Sequence, residues 1–463
     1  MKRNLFFWFA IFASALVFVF LAWAFSLHGT IGLFRVNGIL RLAFIALALF
    51  TIVLLILCIL ERWWLSKKQT GWVRVLSWLV RIMTVLGIII PILAFVYIGI
   101  RGSFAASESP QLLMMDGIGS NDVPDMAVVF NTVNSTTNSV KWGSGDTSAT
   151  FSEEKPLKQH VFMLRDLQPD TEYWYQVNDS QTYRFKTPSV DGQYLHFAVF
   201  SDAHFGDAAS RNDLSSKMLQ YIADPANRFN LLFSLGDLVD YGFKDKQWQA
   251  AFKVLSPITS VIPTKYVAGN HDTLLGGLKR YETYCYPVGM ELRTGTRLWQ
   301  RIDVGKVHFL VIDLEWSAES YTREQNIWLE TQLASIPKDD WTIVMGHGFY
   351  YASGSVIEGW QWYDNPETIQ KLTPLFEKYG VDMVFSGHAH QLELLQKSGV
   401  TYVICGAFGS GSEPERQYIS PESVWYSINH FAFVDVTVNG SEARLVFRDS
   451  DYNELNSFII PNN

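Results

Sequence analysis

Five short apolar runs, each ending directly in a metal-ligand residue, constrain this chain more than any other feature. After Phe200 come Ser201-Asp202-Ala203-His204. After Leu235 come Gly236-Asp237, and after Ala268 come Gly269-Asn270-His271-Asp272. After Met345 come Gly346-His347, and after Phe385 come Ser386-Gly387-His388-Ala389-His390. These five read as strands over 195–200, 231–235, 265–268, 342–345 and 383–385, and two further apolar runs, 307–312 and 402–404, read likewise. They alternate with amphipathic stretches near 211–223, 245–255, 323–335 and 365–379 that read as helices. Strands alternating with helices predict an α/β domain. Ligands at the C-terminal ends of neighbouring strands converge on one rim, which is where such folds place their sites. The glycines let the backbone turn sharply there.

Carboxylate, imidazole and amide oxygen together suit hard to borderline divalent metals. A shared aspartate can bridge two ions ~3.5–4 Å apart, a pair that clamps both oxygens of a phosphoryl displacement. Each motif alone is weak; five in order at strand ends are not. This ordered set, over residues 195–450, resembles the calcineurin-like metallophosphoesterases, whose pattern is Asp-x-His, Gly-Asp, Gly-Asn-His-(Asp/Glu), Gly-His and Gly-His-x-His. The resemblance implies an αββα sandwich with two divalent ions, such as Mn, Fe or Zn. One ion would be held by Asp202, His204, Asp237 and His390. The other would be held by Asp237, Asn270, His347 and His388, so that Asp237 bridges. A hydroxide between the ions would attack phosphorus in line. His271 would contact the phosphate and protonate the leaving oxygen, and Asp272 would orient His271. The remaining histidines, His28, His160, His196, His308 and His430, lack such company and read as structural.

Ahead of this domain, residues 108–189 show strand-like alternation broken by turn signals. The string Leu164-Arg165-Asp166-Leu167-Gln168-Pro169-Asp170-Thr171-Glu172-Tyr173 resembles the fibronectin type III segment that sets a tyrosine corner, in which the phenol bonds back to nearby backbone. The resemblance implies a β-sandwich with a structural role, as a spacer or dimer surface. That domain order is similar to the purple acid phosphatases, but two positions depart from their pattern. Those enzymes carry a metal-binding tyrosine three residues after the Gly-Asp aspartate; Asp240 holds that place here, and Tyr241 comes one residue late. Their first motif also lacks the histidine that His204 supplies. His204 therefore replaces the tyrosinate ligand.

The first hundred residues hold three long apolar runs, roughly 5–26, 39–60 and 78–100. Each is long enough for a helix to cross a ~30 Å hydrocarbon core. Lys2, Arg3, Arg62, Lys67, Lys68 and Arg74 flank them on one side, against Arg35 alone in the other loop. The positive-inside rule then puts the N-terminus in the cytoplasm and the catalytic domain outside. The first run has the alternative of being a signal peptide ending near Ala22-Trp23-Ala24. The expected whole is a multi-domain chain. A three-helix transmembrane segment (1–102) leads to a fibronectin III-like β-sandwich (108–189), then an α/β metallophosphoesterase domain (194–463).

A formal net charge of -8 argues against a nucleic-acid surface, so an anionic substrate needs a local positive source, which metal supplies. The expected partner is a phosphate-ester small molecule or a lipid phosphate. The expected activity is hydrolysis of phosphate esters, with a phosphodiesterase or a non-catalytic sensing module as alternatives. Three cysteines make no disulfide framework; Cys285 and Cys405 pair only if they meet in space, and buried thiols are the simpler reading. Phe349-Tyr350-Tyr351 and Trp360-Gln361-Trp362-Tyr363 read as loop packing, with stacking on a base or sugar as the alternative. The 406–412 segment either lines the site or is a plain turn.

Overall fold

The computed structural model describes residues 7–22 (without 9, 13 and 20), 38–63, 71–99 and 106–462 (without 118, 191–193, 358 and 412–414). The chain divides into two compact units, Met1–Gly102 and Ser103–Asn463.

In the first unit, helical residues between 7 and 22 are followed by α1 (Gly38–Trp63) and α2 (Gly71–Gly99). The α1 and α2 backbones approach closely at Gly87, where a Cβ would lie 2.3 Å from the Leu54 side chain. Thr51, Leu54 and Cys58 are buried, and the Thr51 hydroxyl donates to the Leu47 carbonyl. Among the described residues, no helix is long and apolar enough to cross a membrane. This corrects the expectation of a three-helix transmembrane segment. The integral-membrane, extracytoplasmic placement of the catalytic domain falls with it. The helix bounds differ from the apolar runs: α2 starts seven residues before the third run and takes in Arg74, Ser77 and Arg81. Parts of the first run, and His28, lie outside the described residues.

The second unit begins with β1 (Gln111–Met114), β2 (Met126–Thr136), β3 (Ser139–Ser144), β4 (Thr147–Ser152), β5 (Leu157–Leu164), β6 (Glu172–Val177) and β7 (Thr182–Lys186). The layered part follows as β8 (Leu195–Phe200), α3 (Asn212–Ala223), β9 (Leu231–Ser234), α4 (Asp245–Thr259), β10 (Thr264–Tyr266), α5 (Leu278–Cys285), β11 (Gln300–Val304), β12 (Val307–Val311), α6 (Arg323–Ser335) and β13 (Trp341–Met345). A hairpin, β14 (Ser355–Ile357) and β15 (Trp360–Trp362), precedes α7 (Pro366–Tyr379) and β16 (Met383–Ser386). The chain closes with β17 (Leu392–Lys397), β18 (Val400–Cys405), β19 (Ser423–Ser427), β20 (Ala432–Asn439), β21 (Glu442–Asp449) and β22 (Glu454–Pro461).

Among the described residues, one large sheet runs β22-β21-β20-β8-β9-β10-β1-β2-β5 and a second runs β11-β12-β13-β16-β18-β17-β19. The strands at the centre of each, β8-β9-β10 and β12-β13-β16-β18, are parallel and fully buried. Parallel strands covered on both faces need continuous apolar runs, which these are. Phe197 and Phe233 of the first sheet meet Phe309 of the second at ring distances of 5.3 and 4.7 Å, so the core lies between the sheets. Met218, Leu219, Trp248 and Leu255 of α3 and α4 cover the outside of the first sheet. Leu329, Leu333, Leu372 and Phe376 of α6 and α7 cover the second. The layers are therefore αββα. Local signals set the helix ends: Thr322 and Asn365 cap α6 and α7 with their side chains, and Gly380 at φ 67° stops α7. Each such N-cap is worth about 1 kcal/mol. The Asn439-Gly440 turn joins β20 to β21 within the first large sheet.

The strands of residues 108–189 split between two sheets. β4-β3-β6-β7 form a separate four-stranded sheet, while β1, β2 and β5 extend the first large sheet through the parallel pairing of Leu113 with Thr264. The Tyr173 hydroxyl accepts from the Gln168 backbone N–H at 2.9 Å. Other bonds tie this part to the catalytic layers: Tyr175 Oη donates to the Ser260 carbonyl (2.7 Å), Arg293 pairs with Asp125 (2.7 Å), and Asp116 accepts from the backbone of Arg293, Thr294 and Gly295.

Beside this junction, Lys265 is buried on β10, bonded to the Gln300 side chain and 4.5 Å from the centre of the Tyr286 ring. Burial pushes its amine down to about 7, against which Asp116 acts only partly. A folded-state value below the unfolded one means the unfolded chain binds more protons above about pH 7, so stability rises with pH in that window. Wild type should therefore gain stability relative to Lys265→Met as pH goes from 7 towards 10, measured as the difference in Tm by calorimetry. A constant difference would show that the amine is not held neutral.

Candidate metal centre

The rim above the parallel strands gathers every ligand expected from sequence. Asp202 and His204 follow β8, Asp237 follows β9, Asn270 opens a single helical turn after β10, His347 follows β13, and His388 and His390 follow β16. The turns that aim them are unusual. Asp202, His204, Asp237 and His388 all have positive φ, at 61°, 45°, 50° and 67°. Left-handed backbone at non-glycine residues costs energy and persists only where the surroundings enforce it. Glycines beside the ligands make room. A Cβ on Gly387 would lie 2.0 Å from Ser201 Oγ and 2.5 Å from Asp202 Oδ2, and one on Gly269 would lie 2.2 Å from Asp237 Oδ1.

Among the described residues three groups could hold an ion, Asp202–His204–His390, Asp237–His347–His388 and, sharing His204 with the first, His204–Asp240–His271; the first two clusters contain the expected ligands. Asp202 Oδ1 lies 3.4 Å from His390 Nε2 and 3.9 Å from His204 Nε2. Asp237 Oδ2 lies 3.2 Å from His347 Nε2 and 3.7 Å from His204 Nε2, so one oxygen faces both clusters. Around His347 Nε2 stand Asn270 Oδ1 (3.1 Å) and His388 Nδ1 (3.2 Å) as well.

The test of whether metal fits turns on His347. Its Nδ1 lies 2.7 Å from the Leu235 carbonyl, which can only accept, so Nδ1 carries the proton. In the neutral ring, Nε2 then presents a lone pair to a carboxylate, an amide oxygen and a second imidazole. That arrangement is repulsive unless a cation sits among them. Without an ion, burial opposes protonation but Asp237 and Asp202 hold His347 up at about 10, a proton standing in for the cation. His390 is set in the same way, with Nδ1 2.9 Å from the Gly411 carbonyl and Nε2 turned inward. Asp202 Oδ1, His204 Nε2 and His388 Nε2 are buried with no hydrogen-bond partner. Burial lowers His204 and His388, leaving neutral imidazoles, the form that binds metal. Burial alone would raise Asp202 and Asp237, but His347, first among the imidazoles, brings both down. The donor set fits two divalent ions, the complement used by purple acid phosphatase-like metallophosphoesterases.

His271 stands beside the clusters, its ring 4.7 Å from that of His204. Its backbone N–H donates to Asp237 Oδ1 at 2.8 Å. Its Nδ1 donates to the Asp240 carbonyl at 2.7 Å, with the Asp240 carboxylate at 3.4 Å. This corrects the expectation that Asp272 orients it. The Asp272 carboxylate instead accepts from the backbone N–H of Val239 and Gly269, at 3.2 and 3.1 Å, and so pins two ligand loops together. Burial and then Asp237 push Asp272 up to about 8. Asp240 is the residue that sequence reasoning passed over; its signal was the Gly-Asp-x-x-Asp spacing.

Elsewhere the expectations separate. Ser410 N–H donates to the Asp202 carbonyl, so the 406–412 segment lines the rim. Tyr350 is core, packed on Phe376 and Tyr402, whereas Trp362 lies 4.9 Å from the His388 ring. Cys285 and Cys405 are free and buried. His160, His196, His308 and His430 bond Glu153, Asp435, Asp303 and Ser427.

Known proteins share this fold and are similar in sequence. A purple acid phosphatase from yellow lupin (Lupinus luteus) seeds shares the fold, with a TM-score of 0.64 and 20% identity over 76% of this chain and 74% of that one. Purple acid phosphatase 18 of Arabidopsis thaliana is 22% identical over 308 residues, 63% of this chain and 67% of the relative. A purple acid phosphatase of Glycine max is 27% identical over 53% of this chain and 54% of its own. A probable inactive purple acid phosphatase 1 of Arabidopsis thaliana is 25% identical over 54% of this chain and 46% of its own. The chain thus spans about half to two thirds of the length of these relatives.

Because a Cβ at position 387 collides with Asp202, Gly387→Ala should weaken metal binding roughly 10- to 100-fold, the range typical of disturbed ligand support. Metal content after dialysis against graded chelator reads this directly; unchanged retention would show that the glycine is not needed for the cradle. Residues 195–392, which contain every one of these motifs, match the family described as calcineurin-like phosphoesterase, so the chain carries a calcineurin-like metallophosphoesterase domain with purple acid phosphatases as relatives.

Proposed function

We propose that the chain hydrolyses phosphate esters at this centre. The observation that supports it most is the position of Asp237 Oδ2, within 3.7 Å of an imidazole nitrogen from each cluster. On this reading Asp202, His204, Asp237 and His390 hold one ion and Asp237, Asn270, His347 and His388 hold the other. When bound, such a pair of ions supplies positive charge for the phosphoryl group and lowers the pKa of water.

The protein's own groups do the rest. Asp237 binds both sites and accepts the His271 backbone N–H, tying the acid–base residue to the bridge. With Nδ1 committed to Asp240, His271 offers Nε2 to a phosphate oxygen or to the leaving group, as a proton donor. Asp240 positions that ring from the place where the purple acid phosphatase pattern puts its tyrosine. Residues 108–189 we read as a fibronectin type III-like module with a structural role.

The full-length chain loaded with Mn²⁺ should hydrolyse p-nitrophenyl phosphate, and Asp237→Asn should reduce turnover to background. Metal-dependent turnover that survives Asp237→Asn would sink the assignment. Two bound ions with no turnover on monoesters or diesters would place this chain with its relatives named inactive. Asp240→Asn should lower kcat by about 10- to 100-fold at unchanged metal content, while Asp272→Asn should chiefly lower Tm. The reverse pattern would return the orienting role to Asp272.

A further inference from the structure

The two sides of the metal centre differ in chemistry. Among the described residues, the Gly411 carbonyl stands against His390 Nδ1 and the Ser410 N–H donates to the Asp202 carbonyl. Beside His388 the rim is aromatic. The Trp316, Trp362 and Phe349 rings lie 4.4, 4.9 and 5.8 Å from the His388 ring, and Trp316 and Trp362 meet edge to face at 5.4 Å. Phe349 and Trp316 are buried and complete the packing. Trp362 is only half-buried, and it projects from the short β14–β15 hairpin.

That hairpin is held firmly. Tyr363 stacks on Tyr418 at 4.4 Å, and Asp364 accepts from Tyr418 Oη (2.6 Å), Ser420 Oγ (3.0 Å) and the Ala352 N–H (3.0 Å). Gly354 and Tyr418 also exchange both backbone hydrogen bonds. A fixed, half-exposed indole beside a metal ligand is a preorganised flat surface, the kind on which planar rings stack.

We propose that Trp362, backed by Trp316 and Phe349, is the wall on which the organic group of the substrate stacks, so that this centre prefers phosphate esters bearing a nucleobase or aryl ring. The inference rests on the phosphoesterase reading above. The test compares adenosine 5′-phosphate with ribose 5-phosphate on the full Mn²⁺-loaded chain, since the two differ only in the base. Wild type should favour the nucleotide by about tenfold in kcat/KM, equivalent to about 1.4 kcal/mol. Trp362→Ala should bring that ratio close to one, mainly through KM, and Trp362→Phe should retain part of it.

Equal use of the two esters by wild type overturns the proposal while leaving the phosphoesterase reading intact. So does a Trp362→Ala chain that loses both activities together with its bound manganese, which would make the indole a support for His388. If the alanine variant does not fold, the wild-type ratio and the phenylalanine variant decide. Failure of wild type on both esters and on p-nitrophenyl phosphate would instead remove the reading on which the proposal stands.

Discussion

One hydrogen bond organises the centre. The Leu235 carbonyl takes the proton of His347 Nδ1, and this single commitment turns the opposite nitrogen into a lone pair aimed at Asp237, Asn270 and His388. Two acceptors, Asp237 Oδ2 and Asn270 Oδ1, within 3.2 Å of that lone pair call for positive charge among them. Leu235 lies just past the end of β9: its N–H still donates to the Phe200 carbonyl of β8 at 2.8 Å, while its carbonyl takes His347 Nδ1–H and the Ser201 hydroxyl (3.1 Å). The strand ladder thus sets the tautomer, and the tautomer sets the preference for metal.

The same strand ends carry the strain. Four ligands sit in left-handed backbone, and the glycines next to them admit atoms that a Cβ would displace. Such turns are costly in isolation. Here they are held by bonds between loops: His204 N–H to the Asp237 carbonyl, Asp202 N–H to the Gly236 carbonyl, His388 N–H to Asp202 Oδ2, and the Asp272 carboxylate across two loops. Asp272 reads in sequence like the partner of the histidine before it. It serves instead as the clasp that keeps ligand loops in register, which is why its burial is complete.

Much of the layered part was legible because its signals are local. The runs ending in Phe200, Met345 and Phe385 became β8, β13 and β16 within a residue, and the helices over 323–335 and 365–379 matched because their caps, Thr322 and Asn365, are written in the chain. What escaped was decided by distant contacts. α5 and β11 have no periodic pattern strong enough to announce them. The partner of His271 depends on where the β9 loop passes, so sequence adjacency pointed to Asp272 and space chose Asp240. Trp362 separated from Tyr350 and Phe349 only when the hairpin was seen to fold over His388.

Position 240 shows how these effects combine. The purple acid phosphatase pattern would place an anionic tyrosine ligand there. On the proposed ligand set His204 takes that place as a neutral imidazole, and the carboxylates in the set are Asp202 and Asp237. Two divalent ions against two carboxylates leave a local charge of about +2, within a chain of formal net charge -8. A tyrosinate would reduce that to about +1. The aspartate at position 240 brings one negative charge back within 3.9 Å of His204 Nδ1 and 3.4 Å of His271 Nδ1, so the exchange moves a charge from the ion to the neighbouring imidazoles rather than removing it. That aspartate turns to His271, where burial opposes protonation but Asp237 first, and then Asp240, hold the ring up at about 9. On the proposed ligand set, then, the exchange leaves the local charge at about +1 and places the carboxylate where it orients the ring of His271.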